Sequence, residues 1–252
     1  MVTDFPQMHH IPQLRQLWKT AFGDTDAFLD SFFETGFSSE RCRCITDGEQ
    51  VAAMLYWFDC EYRGQKLAYL YAVATHPEYR NRGLCHRLME NTHALLAEKG
   101  YAGALLVPQE EGLRTFYGKM GYQNTGNAGE FTAVPGENPA SLERIDAQKY
   151  ATLRRQYLPQ GGVIQEGESL AFLERTYELY AGEDFLLTAF REDDFLWAAE
   201  LLGNRAAAPG ILKALGCVRG KFRTQGDAMP FAMFLPLAEG AKAPDYFGLA
   251  FD

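Results

Sequence analysis

The sequence predicts an α/β fold made of two consecutive domains with a similar order of helices and strands. The chain has 252 residues, which is long for one compact domain and comfortable for two of about 120 each. Segments with helical periodicity and strand-like apolar segments occur in both halves. Between the halves, Pro135-Gly-Glu-Asn-Pro139 has the composition of a linker, which predicts domains over residues 1–135 and 140–252.

The first half starts with two helical patterns. The spacing of Ile11, Leu14, Trp18 and Phe22 predicts a first helix, and a phenylalanine-rich segment predicts a second after Asp26. The turn signals Asp47-Gly48 and Arg63-Gly64 then separate three predicted strands. The remaining predicted elements are a helix between about Gly83 and Gly100, a strand over 101–107, a helix over 111–119 and a strand from Tyr122.

The second half repeats this order with different residues. Its predicted elements are helices at 146–157 and 168–181, a hairpin of 185–190 with 195–202, a helix at 209–215 and strands at 218–224, 230–236 and 245–251. The repeated order indicates a degenerate duplication, although the residues themselves do not repeat.

Charge and composition exclude several classes of protein. The net charge of −9 is spread over both halves, so neither has the basic field that nucleic-acid binding needs. Apolar runs all fall short of the roughly 20 residues of a membrane span, and the segment from Met1 to Asp4 lacks signal-peptide features. The five cysteines form no framework, and no second pair complements Cys42-x-Cys44 as a zinc site. We therefore expect a cytoplasmic protein with reduced thiols, no metal and no membrane or nucleic-acid partner.

One segment, Tyr69 to His86, has the features of an anion site. A strand leads through a polar turn into a helix whose first backbone N–H groups lack partners and whose dipole favours negative charge. Gly83 removes a side chain where backbone and phosphate would meet, and Arg80 and Arg82 add positive charge. The alternative is a plain strand-to-helix turn with solvated arginines.

These residues resemble the GNAT superfamily of N-acetyltransferases. The superfamily carries Arg/Gln-x-x-Gly-x-Gly/Ala at such a turn, and this chain has Arg80-Asn-Arg-Gly-Leu-Cys85 after Ala72-Val-Ala-Thr-His-Pro77. Phe116-Tyr-Gly-Lys-Met-Gly-Tyr122 is similar to the late helix of the family. The resemblance covers residues 5–130, but Cys85 replaces the family's Gly or Ala. That substitution is either steric or, alternatively, a reactive thiol at a helix N-terminus.

The resemblance implies a mixed, splayed central sheet flanked by helices, with acetyl-CoA bound in the gap. Tyr117 would be the acid that protonates the departing thiolate, and its alternative role is that of a core aromatic residue. The residues implied to contact acetyl-CoA are Val73, Ala74, Thr75, Arg80, Asn81, Arg82, Gly83, Leu84, Cys85, His86, Gly112 and Leu113.

The implied activity is acetyl transfer to the primary amine of a small molecule or peptide, and the competing interpretation is a non-catalytic acyl-CoA-binding module. The base stays open: Glu61, Glu78 and Glu130 are candidates by residue type only, and a water chain is another. The second half resembles the degenerate half of two-domain family members and has only a weak counterpart of the phosphate turn at 202–209. Neither the acceptor nor the oligomeric state can be read.

The last seven residues are apolar almost throughout, which predicts a buried terminal strand. In the two-domain enzymes that the chain resembles, the terminal carboxylate serves as the proton acceptor. Asp252 could bring two carboxylates to the site in the same way. The alternative is a strand that only completes the second sheet.

Overall fold

The computed structural model describes residues 1–251, and within them the chain forms seven α-helices and fourteen β-strands. The helices are α1 Ile11–Phe22, α2 Asp26–Thr35, α3 Leu84–Glu98, α4 Glu111–Gly118, α5 Ala147–Tyr157, α6 Glu168–Thr176 and α7 Ala208–Leu215. The strands are β1 Val2–Asp4, β2 Cys42–Asp47, β3 Gln50–Tyr62, β4 Gln65–Thr75, β5 Gly103–Leu106, β6 Gln123–Thr125, β7 Ala128–Ala133, β8 Leu142–Arg144, β9 Ile164–Gln165, β10 Glu178–Gly182, β11 Phe185–Glu192, β12 Phe195–Gly203, β13 Arg219–Gln225 and β14 Ala232–Pro236.

The first sheet is mixed and has helices on both faces. Its order is β1-β2-β3-β4-β5-β14-β6, with β9 beside the end of β3. The strands β4 and β5 are parallel, and the other neighbours are antiparallel. Alternate residues of β3 enter different cores: Tyr56 and Phe58 pack with α1 and α2, whereas Leu55 and Trp57 pack with α3. Burial on both faces explains why β3 is apolar almost throughout.

The second sheet is smaller and has the order β7-β13-β12-β11-β10-β8. On one face α7 packs through Ile211 and Leu212. On the other, α5 and α6 join the apolar cluster that also contains α1 and α2, so one core spans both sheets. Phe32 of α2 and Phe172 of α6 meet in it with ring centroids 5.4 Å apart. The predicted α/β fold with two similar sheets is confirmed.

Each sheet contains strands from the other half of the chain, and β9 beside β3 is one of those in the first sheet. β7 precedes the predicted linker but pairs with β13 of the second sheet, and β14 follows it but lies between β5 and β6 of the first. The predicted division at residues 135–140 therefore stays a prediction. A strand's pattern of polar and apolar residues shows which faces are buried, but not which strand lies beside it.

Two predicted elements in the second half are wrong. The helix predicted over 168–181 ends at Thr176, because Tyr177 is extended and Tyr180 pairs with β11 as part of β10. The segment predicted as a strand at 245–251 is buried from Tyr246 to Phe251 but forms no strand there. The predicted role of Asp252 lies outside the described residues. No helix between residues 1 and 251 is long and apolar enough to cross a membrane.

Candidate functional site

A gap opens between the parallel strands β4 and β5. Their pairing ends at Tyr69 and Leu105, although β4 runs on to Thr75. Beyond that point a bulge sets Ala72 and Val73 opposite a single residue of β3, and Ala72 has a φ of 49°. A bulge bends its strand and redirects its side chains. The described strands leave the β5-facing edge of β4 unpaired here, so its peptide groups are available to a ligand.

The N-terminus of α3 begins just after the end of β4. Gly83 precedes the helix with a φ of 73°, a region that favours glycine. No side chain caps this end, and the first helical bond runs from the Arg87 N–H to the Gly83 carbonyl. A Cβ at Gly83 would meet no atom within 4 Å, so open space lies above the turn. The helix therefore presents unpaired N–H groups to an accessible volume, as an anion site requires.

The turn that leads to α3 is fixed by its arginines. The Arg80 Nε donates to the Thr75 carbonyl at 3.3 Å, which joins the turn to the end of β4. The Arg82 guanidinium lies 5.1 Å from the centre of the Tyr79 ring. Asn81 has a φ of 61°, a left-handed conformation that asparagine tolerates better than most residues.

The first turn of α3 separates buried from exposed side chains. Leu84 is buried, whereas the exposed His86 lies 3.2 Å from the Glu90 carboxylate. Cys85 is half-buried, and burial raises the pKa of its thiol to about 11. Its thiol therefore stays protonated at neutral pH, which favours the steric explanation of Cys85 over that of a reactive thiolate.

Tyr117 projects from α4 towards the same gap. It is 7% exposed and belongs to the apolar cluster that Val73 and Cys85 also contact. The pKa of the Tyr117 phenol is raised well above its usual value. Burial is the larger cause and the nearby Cys85 is the smaller one. The hydroxyl is therefore protonated at neutral pH and can donate a proton or a hydrogen bond.

A cavity of about 520 Å³ lies at this gap. Of the residues predicted to contact acetyl-CoA or to act as the acid, Val73, Leu113 and Tyr117 line it. The α3 turn contributes no lining side chain, and neither do Ala74, Thr75 or Gly112. The lining residues that sequence reasoning missed include Trp18, Phe22, Asp24, Phe28, Tyr71, Arg114, Tyr177, Phe190, Arg223, Phe231 and Phe251. Most come from helices before the gap or from the second half, and no local motif marks them.

A second cavity of about 350 Å³ adjoins the first and shares Glu130, Tyr177, Phe190 and Arg223 with it. Glu130 Oε2 lies 2.5 Å from Lys221 Nζ, and its Oε1 lies 3.5 Å from Arg223 Nε. Of the three candidate bases, Glu130 lines both of these cavities and Glu61 and Glu78 line neither, and two cations pair with the Glu130 carboxylate. Among residues 1–251, no group of His, Cys, Asp or Glu side chains could hold a metal ion.

Comparison with known proteins finds a family model that the first half of the chain resembles. Residues 6–125 match the family of acetyltransferase (GNAT) domains. These residues contain β4, the α3 turn and α4, so the matched region includes the turn and the helix that carry the predicted site. The sequence matches none of the curated proteins with which it was compared.

Solved structures share the fold over nearly the whole chain. A GCN5-related N-acetyltransferase from Anabaena variabilis superposes with a TM-score of 0.72 at 17% identity, covering 94% of this chain and 73% of that one. Eis1 from Mycobacterium abscessus superposes with a TM-score of 0.67 at 11% identity, covering 94% of this chain and 74% of that one. A putative acetyltransferase from Pyrococcus horikoshii gives 0.66 at 13% identity, covering 98% and 93%. The likeness extends through both sheets, and at these identities it concerns the fold alone.

Proposed function

We propose that the protein transfers the acetyl group of acetyl-CoA to the primary amine of an acceptor. The observation that carries this proposal is the placement of three features around one gap. These are the unpaired edge of β4, the uncapped N-terminus of α3 and the protonated hydroxyl of Tyr117.

The charge and the unpaired peptide groups of the residues at the gap support acetyl-CoA as the ligand in this proposal. The α3 turn offers backbone N–H groups and two arginines to a diphosphate, and Gly83 leaves the approach open. The edge of β4 near Val73 offers peptide groups to the amides of the pantetheine arm. Leu113 of α4 lines the other side of the cavity and would cover the apolar part of that arm.

Tyr117 is the acid in this proposal. Acetyl-CoA supplies an activated thioester, whose acetyl group passes from sulfur to the amine nitrogen while the nitrogen loses one proton and the sulfur regains one. Tyr117 is positioned to return the proton to sulfur, because its hydroxyl is protonated and its side chain lines the cavity. The apolar side chains packed around Tyr117 hold its ring in place.

No base is assigned. Glu130 is not assigned this role, because its carboxylate already forms ion pairs with Lys221 and Arg223. Glu61 and Glu78 do not line the described cavity. The acceptor would therefore lose its proton to water or to a group outside this set. We expect the enzyme to act in the cytoplasm, where its five free cysteines would stay reduced.

The second candidate function is acyl-CoA binding without catalysis. The cavity that continues past Tyr117 favours the enzyme, because a pure binder has no need of space for an acceptor. The test is thiol release from acetyl-CoA with and without a panel of amines, together with calorimetry of acetyl-CoA binding. Amine-dependent release supports the enzyme. Tight binding without release for any amine would support the binding module.

A further inference from the structure

The cavity beyond Tyr117 carries information on the acceptor, and the following inference rests on the proposed function. One wall consists of aromatic rings from distant parts of the chain. Trp18 and Tyr71 lie with ring centroids 5.4 Å apart, and Phe251 meets Tyr71 at 5.7 Å. Phe28 also lines this part of the cavity and packs on Trp18 at 6.3 Å. Flat apolar walls of this kind bind an aromatic or apolar body better than a strongly hydrated one.

A second group of rings lies where the two cavities adjoin. Phe190 and Trp197 stack with an interplanar angle of 17°, and Tyr177 meets Phe190 edge-on at 5.5 Å. Trp197 is 37% exposed, an unusual value for so large an apolar side chain. Since it lines the second cavity, part of its surface is open to a ligand there.

Asp24 places a negative charge on the aromatic wall. It lies in the turn between α1 and α2, is half-buried and lines the cavity. The Trp18 indole N–H donates to Asp24 Oδ2 at 2.7 Å, so the carboxylate is held in one orientation. A carboxylate fixed beside aromatic faces attracts an ammonium group through charge and through cation–π contact.

The neighbouring acids show that Asp24 is unusual. Asp26 pairs with Lys19 at 2.9 Å, and Asp30 pairs with Arg15 at 2.5 Å. Within residues 1–251, Asp24 pairs with no cation. The negative charge of Asp24 therefore remains available to a cationic ligand.

The other half-buried carboxylate of the described lining, Glu130, is held by Lys221 and Arg223. Glu192, which lines the second cavity, is exposed. Asp24 is therefore the half-buried carboxylate that the described lining offers to a cationic ligand, which suits one ammonium group. A polycation would need several.

We infer that the acceptor is an aromatic monoamine of the arylalkylamine class, drawn in by Asp24 and bound by the rings of this cavity. The ammonium group that Asp24 attracts first loses one proton to water, and the neutral amine nitrogen that results is the one that is acetylated. Trp18 is a positioning residue, because it orients the Asp24 carboxylate.

The test compares three amines with the wild-type protein: 2-phenylethylamine, n-hexylamine as an aliphatic monoamine, and spermidine as a polycation. We expect kcat/KM for 2-phenylethylamine to be about tenfold or more above the value for spermidine. It should also be about threefold or more above the value for n-hexylamine. This ranking needs no variant, so it decides the inference even if a substitution prevents folding. A ranking led by spermidine or n-hexylamine would overturn the inference and leave the proposed function standing.

Asp24→Asn removes the charge and keeps an oxygen for the Trp18 N–H. We expect it to raise KM for 2-phenylethylamine by about tenfold or more and to leave acetyl-CoA affinity unchanged. Asp26→Asn, two residues away and outside the cavity, is the matched control and should keep the wild-type KM. An unchanged KM in Asp24→Asn would overturn the inference.

If no amine is acetylated, the proposed function fails and binding decides the inference separately. Calorimetry with 2-phenylethylamine, in the presence and absence of CoA, should then show binding that Asp24→Asn weakens. Absence of binding to the wild-type protein under both conditions would overturn the inference as well.

Discussion

Arg154 of α5 and Glu200 of β12 form a buried two-bond ion pair. Their Nε–Oε2 and Nη2–Oε1 distances are 2.7 and 2.9 Å, and the side chains are 2% and 0% exposed. The hydroxyls of Tyr150 and Tyr246 also donate to the Glu200 carboxylate. Tyr246 begins the buried segment that ends at Phe251, and Phe251 lines the cavity. The ion pair therefore attaches this segment to the second sheet through Tyr246.

Removal of one partner should be costly. Arg154→Ala leaves the Glu200 charge buried without a cation, and we expect the free energy of unfolding to fall by about 3–5 kcal/mol. Arg155→Ala is the matched control, since Arg155 forms an exposed ion pair with Glu166 that contributes about 1 kcal/mol or less. Urea unfolding of both variants measures the difference. Equal effects for the two substitutions would contradict the structural role of the buried pair.

His93 should make stability depend on pH. Burial lowers the pKa of its imidazole from 6.5 to about 4, and its Nε2 lies 2.8 Å from the Tyr122 hydroxyl. The unfolded chain takes up this proton near pH 6.5, but the native protein takes it up only near pH 4. The contribution to stability is therefore complete above pH 6.5 and is lost as the pH falls towards 4.

Between about pH 7 and pH 5 this loss should amount to about 2 kcal/mol in the free energy of unfolding. In urea unfolding, the free energy of unfolding of His93→Gln should fall between pH 7 and pH 5 by less than that of the wild type, and the difference should be that amount. His9→Gln removes an exposed imidazole from another part of the chain and is the control, expected to follow the wild-type protein. If His93→Gln lost as much stability as the wild type over this pH range, the buried neutral imidazole would not be the cause of the pH dependence.

Gly83→Asp should weaken acetyl-CoA binding by at least about tenfold. The new carboxylate would lie where the α3 turn is proposed to receive the diphosphate, and it would compete for the same N–H groups. Gly100 is the matched control, because it has a φ of 80° and open space at the other end of the helix. Calorimetry of Gly83→Asp and Gly100→Asp separates lost binding from backbone strain. Wild-type affinity in folded Gly83→Asp would remove this turn from the site.

Tyr117→Phe keeps the packing of the ring and removes the proton donor. We expect turnover to fall by about ten- to a thousandfold, with acetyl-CoA affinity nearly unchanged. Tyr122→Phe is the control, since it removes a neighbouring buried hydroxyl that contacts His93 and does not line the cavity. Single-turnover rates make the comparison where chemistry limits the reaction. Full activity in Tyr117→Phe would show that another group protonates the sulfur.

The parts of the site that the sequence predicted are local. The turn at Gly83 and the start of α3 could be predicted from residues that are neighbours in the chain. The helical periodicity around Tyr117 likewise predicts that it lies on a helix. Asp24 and Phe190 could not be predicted in the same way, because tertiary packing brings them to the cavity from separate elements. The predicted end of α6 is wrong for a related reason. Tyr177 and Tyr180 fit helical spacing, but pairing with β11 stabilises the extended form of this segment.

The position of β14 constrains the order in which the molecule can be assembled during synthesis. β5 and β6 are finished by residue 125, yet the strand that joins them ends at Pro236. A nascent chain that has left the ribosome only as far as the linker therefore carries β6 with no place in its sheet and an open edge on β5. Such edges bind other extended chains readily, so the unfinished first half should be prone to aggregation and dependent on chaperones until the last hundred or so residues emerge.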